Sequence, residues 1–245
     1  MTMDHFSEYK AIQNEINAAL ETYFTADCPQ KELLDAMRYS LLAGGKRIRP
    51  LLLVKFCEIS GGDRAAALPA ACGIEMLHTY SLIHDDLPCM DNDDMRRGKP
   101  SANARWQSHK AVILGDYILA RNLNIGLTSG QFDLVTHVCG SMAALCEGEV
   151  LQSECAEKHT MTRQAYLDII YKKTACLIGV SASAGAMAVG ASQQKVALMR
   201  RFGEAVGMAF QIQDDILDYT RTAHTGKPAN NDLREGKITL PLLAV

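Results

Sequence analysis

The chain has 245 residues, enough for one large domain or two small ones. Hydrophobic residues make up 48% and charged residues 22%, the balance of a globular protein with a real core rather than a disordered or fibrous one. Net charge is −3, from 25 basic and 28 acidic residues, which excludes a general pull toward nucleic acid or an anionic membrane.

Helical periodicity dominates from the start. Ile12, Ile16, Ala19, Leu20 and Tyr23 recur at the spacing of one helix face, and Leu33, Leu34, Met37 and Leu41 repeat the pattern. Gly44-Gly45 then stops the second helix, as glycines past a helix end do. From Ala65 to His84 the sequence is apolar on nearly every side, broken only by Glu75 and His78, which predicts a helix at the centre of a bundle. Leu87-Pro88 ends it, because proline lacks the amide hydrogen and restricts its predecessor. Residues 177–191, LIGVSASAGAMAVGA, are too few and too small to span a bilayer and predict a packed internal helix. A second central helix is predicted from Ala197 to Tyr219, carrying Phe202, Val206, Phe210, Ile212, Ile216 and Leu217. No period-2 strand, linker or repeat stands out. The pattern is that of an all-α bundle forming one domain over 1–245.

Eight cysteines are scattered without a CxxC pair, the closest two being Cys139 and Cys146. The amino terminus, MTMDHFSEYK, lacks the basic-then-apolar layout of a signal peptide. Together these predict a reduced, cytoplasmic setting in which the cysteines act as small core residues.

Three clusters carry chemistry. The stretch HDDLPCMDNDDMRRG (84–98) places Asp85, Asp86, Asp91, Asp93 and Asp94 at the end of the apolar helix, with Arg96 and Arg97 following. Carboxylates that close repel and raise one another's pKa, and a hard divalent cation relieves this. Mg²⁺ takes oxygen ligands, often one or two carboxylates plus substrate phosphates. In QIQDDILDY (211–219), Asp214 and Asp218 are four apart and share a helix face, with Asp215 beside them. The third cluster is basic: Lys46, Arg47 and Arg49 in GGKRIRP, Lys172 and Lys173 before Thr174, and Lys227 and Lys237 after the second acidic group. Arginine forks and lysine ammoniums are common phosphate ligands, so metal-binding acids plus basic patches point to a diphosphate.

Each piece alone has a plainer reading. A single DDxxD is most often a solvated helix face, a KRxR turn is most often surface, and a histidine in an apolar helix is most often a hydrogen-bonded core residue. DNDDM resembles part of a Ca²⁺ loop, but the required glycine and terminal glutamate are not at their offsets. What the plain readings leave unexplained is co-occurrence, since each acidic cluster adjoins an apolar helix and is followed by basic residues.

The segments GGKRIRP, EMLHTYSLIHDDLPCMDNDDMRRGKPS, KKTA, FQIQDDILDY and GKPANNDLREGKITLPLL resemble, in order, those of the trans-isoprenyl diphosphate synthases, from about residue 38 onward. The resemblance implies an all-α bundle around an apolar cavity, a homodimer, and head-to-tail joining of an allylic diphosphate to isopentenyl diphosphate with release of pyrophosphate. By matched position it implies that Asp85, Asp86 and Asp91, with Asp214, Asp215 and Asp218, hold three Mg²⁺ on the allylic diphosphate. Lys46, Arg49, His78 and Arg97 match the pocket for isopentenyl diphosphate. Arg96, Lys173 and Lys237 match ligands of the allylic diphosphate, with Lys227 assisting, and Thr174 and Gln211 match residues lining the reacting carbons. Catalysis would then rest on Lys173, Thr174, Gln211, Asp85 and Asp214. No nucleic acid and no stable membrane insertion are implied.

Tyr80, five positions before Asp85, resembles the floor residue of short-chain bacterial farnesyl synthases, as does the four-residue spacer from Asp86 to Asp91. The stretch NARWQSHKAVILGDYILARNL (103–123) looks more like the long-chain branch, so the two signals diverge. On steric grounds the expected product is farnesyl diphosphate, with geranylgeranyl or longer polyprenyl products as the alternative. Family members continue through further helices after TLPLL, so the resemblance implies that C-terminal helices are missing beyond Val245. Two other readings compete: a terpene cyclase, against which Lys46, Arg49 and His78 argue, and a non-catalytic partner subunit, against which two intact aspartate motifs argue.

Overall fold

The computed structural model describes residues 4–24, 28–128, 130–220 and 237–243. Helices account for nearly all of them, as the sequence pattern requires. The chain forms two compact units, one of residues 1–135 with 184–191, the other of residues 136–183 with 192–245.

The first unit opens with helix α1 (His5–Glu21), whose first turn is capped by Asp4 accepting from the Phe6 amide at 3.2 Å. Ile12, Ile16 and Leu20 are its buried face, matching the predicted stripe. Helix α2 (Lys31–Leu41) buries Ala36, Met37 and Leu41, and α3 (Ile48–Ile59) follows the glycine turn. Helix α4 (Arg64–Asp85) begins at Asp63, which caps the Ala65 amide, and it packs against α1, α2, α3 and α6 (Ser108–Thr128). That number of neighbours is why its sequence is apolar all round. It ends at Asp85, where Leu87-Pro88 was expected to stop it.

Past α4 a hairpin too short to show an alternating pattern pairs β1 (Met95–Arg96) with β2 (Lys99–Pro100), Arg96 opposite Lys99. Its two turn residues, Arg97 and Gly98, both have positive φ (53° and 75°), as the right-handed twist of a two-residue hairpin demands. Ser101 caps the short helix α5 (Ala102–Trp106).

Helix α7 (Phe132–Glu157) is long and apolar enough to cross a membrane by length and composition. Only 11% of its apolar window is buried within the chain. In the second unit α8 (Arg163–Ile170) starts at Thr162, which caps the Ala165 amide, and runs into a π-helical turn, Tyr171–Ala175. That turn continues as α9 (Cys176–Met187), the predicted internal helix, which is buried almost throughout. Helix α10 (Gln193–Thr220) crosses the π turn closely: a Cβ at Gly207 would sit 2.5 Å from Ala175 Cα, so only glycine permits the approach. A last helical turn, Leu240–Leu243, packs on α8 and α10.

One expectation is corrected. Helix α10 was read as a central core helix, yet Phe202 is 52% and Phe210 48% exposed, and Val206, Ile216 and Leu217 are exposed as well. Much of its apolar face is therefore solvent-accessible. Periodicity located the stripe and could not say what lies against it.

Candidate active site

In the first unit the glycine turn and the end of α4 assemble a basic cluster. Gly44 and Gly45 take φ of 96° and 119°. A Cβ at Gly45 would come within 2.7 Å of the Arg97 guanidinium carbon, so the second glycine leaves room for that side chain. Arg97 in turn donates through Nη1 to the Gly44 carbonyl. The turn is pinned from α1 as well, by Tyr9 donating to the Lys46 carbonyl at 2.7 Å and Gln13 donating to the Gly45 carbonyl at 2.8 Å. Lys46 itself is exposed.

Arg49 places Nη1 3.2 Å from His78 Nε2, while its buried Nε has no hydrogen-bond partner. Burial lowers the Arg49 pKa to about 10, and the Arg97 charge adds to that effect against the pull of Glu75. His78 is held well below its ordinary pKa by burial first, then by the Arg49, Arg97 and Arg96 charges. Arg49, His78 and Arg97, three of the four residues predicted to share a pocket, are thus brought together, while Lys46 stands exposed beside Gly45. The cluster places positive charge on positive charge and leaves one buried donor unused, an arrangement that an anion would satisfy.

Arg47, read from sequence as a third cation offered by this turn, points inward instead. It is 3% exposed, adopts φ 52°, and donates to Glu75 Oε1 and the Leu41 carbonyl, each at 2.5 Å, and to Asn17 Oδ1 at 2.9 Å. The signal for this pair was Glu75 itself, since a glutamate inside an apolar helix needs a partner.

The first acidic group divides by environment. The Asp91 amide donates to the Asp85 carbonyl at 2.8 Å, so the loop folds back and holds those two residues together. Asp86 is 3% exposed and accepts from Arg96, whose Nε lies 2.9 Å from Oδ1 and 3.3 Å from Oδ2. Burial opposes the Arg96 charge, but the Asp86 carboxylate beside it leaves the guanidinium above its ordinary pKa. Arg96, expected on a substrate phosphate, is here committed to Asp86.

In the second unit a cleft of about 180 Å³ is lined by Lys173, Thr174, Gln211, Asp215 and Lys237 together with Tyr166 and Thr239. Lys173 donates to Gln152 Oε1 at 2.5 Å and pairs with Glu149 Oε1 at 2.7 Å, both on α7. Lys173 and Thr174 lie in the π turn, which widens one helical turn and marks functional sites in many helices. Thr174 Oγ1 donates to Gln211 Oε1 at 2.7 Å, and Gln211 Nε2 donates to Asp215 Oδ1 at 2.8 Å. Tyr166 donates to Asp215 Oδ2 at 2.6 Å. Burial raises the Asp215 pKa, with Asp214 and Asp218 adding to the rise and the Tyr166 and Gln211 hydrogen bonds opposing it. Tyr166, Glu149 and Gln152 escaped sequence reasoning, for nothing in their spacing sets them apart. Lys227 lies outside the described residues.

Among the described residues no three His, Cys, Asp or Glu side chains form a ready metal cage. The donors present are hard carboxylate oxygens, of which Asp86 and Asp215 are already engaged by protein partners. This suits Mg²⁺, which dehydrates reluctantly and completes its shell with water and substrate phosphate rather than with protein alone. The residues fit the ion.

The sequence profile of the family described as Polyprenyl synthetase matches residues 30–245. The chain is 40% identical over 241 residues to a chloroplastic geranylgeranyl pyrophosphate synthase from Catharanthus roseus, covering 94% of this chain and 67% of that protein. It is 38% identical over 220 residues to a short chain isoprenyl diphosphate synthase from Methanothermobacter thermautotrophicus, covering 88% of this chain and 67% of that one. A crystal structure of polyprenyl synthase from Caulobacter crescentus, complexed with calcium and isoprenyl diphosphate, superposes with a TM-score of 0.87 at 33% identity, covering 97% of this chain and 72% of the other. The chain therefore spans roughly two thirds of the length of its curated relatives. With these similarities in sequence and fold, the chain is a prenyltransferase that belongs to the polyprenyl synthetase family.

Proposed function

We propose that the protein condenses isopentenyl diphosphate with dimethylallyl or geranyl diphosphate, head to tail, releasing pyrophosphate and stopping at farnesyl diphosphate. The observation that carries this reading is the cluster of Lys46, Arg49, His78 and Arg97, with its repelling guanidiniums and the unused Arg49 Nε donor. Such a cluster is built for a polyanion. A terpene cyclase, which needs no second diphosphate, gives it no use.

In this reading Lys46, Arg49, His78 and Arg97 hold the diphosphate of isopentenyl diphosphate. Lys173 and Lys237 pair with the allylic diphosphate, and Lys227 assists. Asp85 and Asp91, and likewise Asp214 and Asp218, hold Mg²⁺, while Asp86 and Asp215 act through the protein groups they bind. Mg²⁺ held by these carboxylates would supply charge neutralisation at the diphosphate oxygens. The allylic C1–O bond breaks with its electron pair leaving on pyrophosphate, and the isopentenyl double bond attacks C1. The proton lost from the adjacent carbon goes to pyrophosphate. Lys173 and Lys237 stabilise the leaving charge where it develops, the largest kind of catalytic term. Thr174 and Gln211 present oxygens toward the allyl cation, and apolar walls keep water from quenching it. The unit of action is a homodimer in the cytoplasm; the exposed apolar length of α7 supports assembly with a second copy.

Chain length follows Tyr80, buried beneath Asp85 in α4. A twenty-carbon product is the second reading, favoured by the 40% identity to a protein named geranylgeranyl pyrophosphate synthase. The test incubates the chain with labelled isopentenyl diphosphate, each allylic starter in turn and Mg²⁺, then sizes the products by chromatography. Farnesyl diphosphate with one pyrophosphate per bond supports the first reading, and geranylgeranyl diphosphate the second. Cyclic hydrocarbon from an allylic diphosphate alone, or folded protein that makes no product with any starter, defeats both.

A further inference from the structure

The cleft of the second unit contains a directed hydrogen-bond chain that runs from Tyr166 and Gln211 into Asp215 and from Thr174 into Gln211. Asp215 accepts at Oδ1 from Gln211 Nε2, 2.8 Å away, which turns the amide nitrogen toward the carboxyl group. That leaves Gln211 Oε1 facing Thr174 Oγ1 at 2.7 Å, and an amide oxygen can only accept, so the threonine hydroxyl must donate. With its one proton committed to Gln211, Thr174 has only oxygen lone pairs to offer the cleft. Asp215 is 5% exposed and its second oxygen takes the Tyr166 hydroxyl at 2.6 Å. Tyr166 is itself 2% exposed, fixed in α8 one helix away from the aspartate it binds.

We infer that Tyr166 is a positioning residue: through Asp215 it sets the orientation of the Gln211 amide, and so makes Thr174 present acceptor oxygen, not a proton, to the cleft. This rests on the condensation reading for its purpose, since a cation forming beside Thr174 is stabilised by lone pairs and repelled by a hydroxyl proton. Asp215 then serves as the hinge of the chain, with both oxygens engaged by the protein.

The experiment uses the full chain with Tyr166→Phe, Asp215→Asn and the double variant. The first measurement needs no substrate. In ¹⁵N-glutamine-labelled protein, hydrogen exchange of the Gln211 side-chain amide should be slow, and it should speed up at least about tenfold in Tyr166→Phe, which loses a hydrogen bond to a charged group. Unchanged exchange in that variant overturns the inference whatever the activity. In turnover, kcat should fall by about tenfold or more in Tyr166→Phe, with KM for isopentenyl diphosphate and the Mg²⁺ activation constant unmoved. A rise in either constant with kcat preserved would make Tyr166 a binding or metal-organising residue and overturn the inference. The double variant should be no slower than Asp215→Asn alone, because the tyrosine acts only through that carboxylate; additive losses overturn it. Wild-type protein that shows the protected amide, loses protection in Tyr166→Phe and makes no prenyl product would leave the orientation standing and remove the condensation reading.

Discussion

Arg49 Nη1 lies 3.2 Å from His78 Nε2, and since a guanidinium can only donate, that ring nitrogen is the acceptor and the imidazole is neutral. Burial and the surrounding Arg49, Arg97 and Arg96 charges lower its pKa well below the ordinary value. His137, which lies 2.7 Å from Ser183 Oγ, is lowered too, by burial and then by Arg200. Both histidines refuse a proton in the native state that the unfolded chain accepts near pH 6.5. Stability is therefore full above that pH and declines as pH falls below it, toward the lowered native values. Urea midpoints measured from pH 7.5 to 5 should drop, and His78→Gln, which cannot charge, should flatten the slope. A midpoint independent of pH across that window would contradict the neutral assignment.

The buried pair of Arg47 and Glu75, at side-chain exposures of 1% and 2%, ties the glycine turn to α4. Removing one partner leaves the other charge buried and unpaired, which costs about 3–5 kcal/mol. Glu75→Leu should lower the urea unfolding free energy by that amount, and Arg47→Met with Glu75→Leu together should recover most of it. If the single variant is as stable as wild type, the pair is not what holds the turn.

These two pairs show where the sequence was legible. The end of α4 followed from Leu87-Pro88, and Lys46, Arg49, His78 and Arg97 could be grouped because the family resemblance matched them to one pocket. The run of cations by itself does not separate Arg47 from Arg49; the resemblance picks out Arg49, and a left-handed φ turns Arg47 inward. Tyr166 was invisible for a related reason. It meets Asp215 across 49 positions of sequence, and no local period reports a contact that α8 and α10 make by packing. The exposed stripe of α10 is the reverse failure: its apolar spacing was plain, but burial depends on what lies opposite.

Ligand removal tests the anion site directly. Pyrophosphate with Mg²⁺ relieves repulsion in both the basic and the acidic clusters, so it should stabilise the fold. At a hundredfold excess over Kd the gain is about 2.7 kcal/mol. For a chain of this size that is a rise in Tm of roughly 5–10 °C. EDTA should reverse most of it, and pyrophosphate alone should give little. Asp85→Ala and Asp214→Ala should each reduce the shift and lower turnover by about 10²-fold or more while helicity is unchanged. A shift of equal size without the metal would remove Mg²⁺ from the account.

Product length is the remaining consequence, and it turns on how firmly one ring is held. Tyr80 is 8% exposed, and its ring stands edge-on to His84 one helical turn later, with centroids 5.8 Å apart and planes at 88°. His84 Nε2 lies 3.1 Å from the Val112 carbonyl on α6, so the residue behind the ring is itself fixed. A tail growing beneath Asp85 would meet a braced wall rather than a side chain free to swing aside. Tyr80→Ala should therefore lengthen the product, at a stability cost of about 3–5 kcal/mol that calls for assay well below Tm. Tyr80→Phe keeps the ring and its edge contact, so it should leave the length unchanged. Chromatography of the products separates the cases: if Tyr80→Ala makes the same product as wild type, the tail does not run past this residue, and the divergent stretch at 103–123 becomes the place to look for the floor.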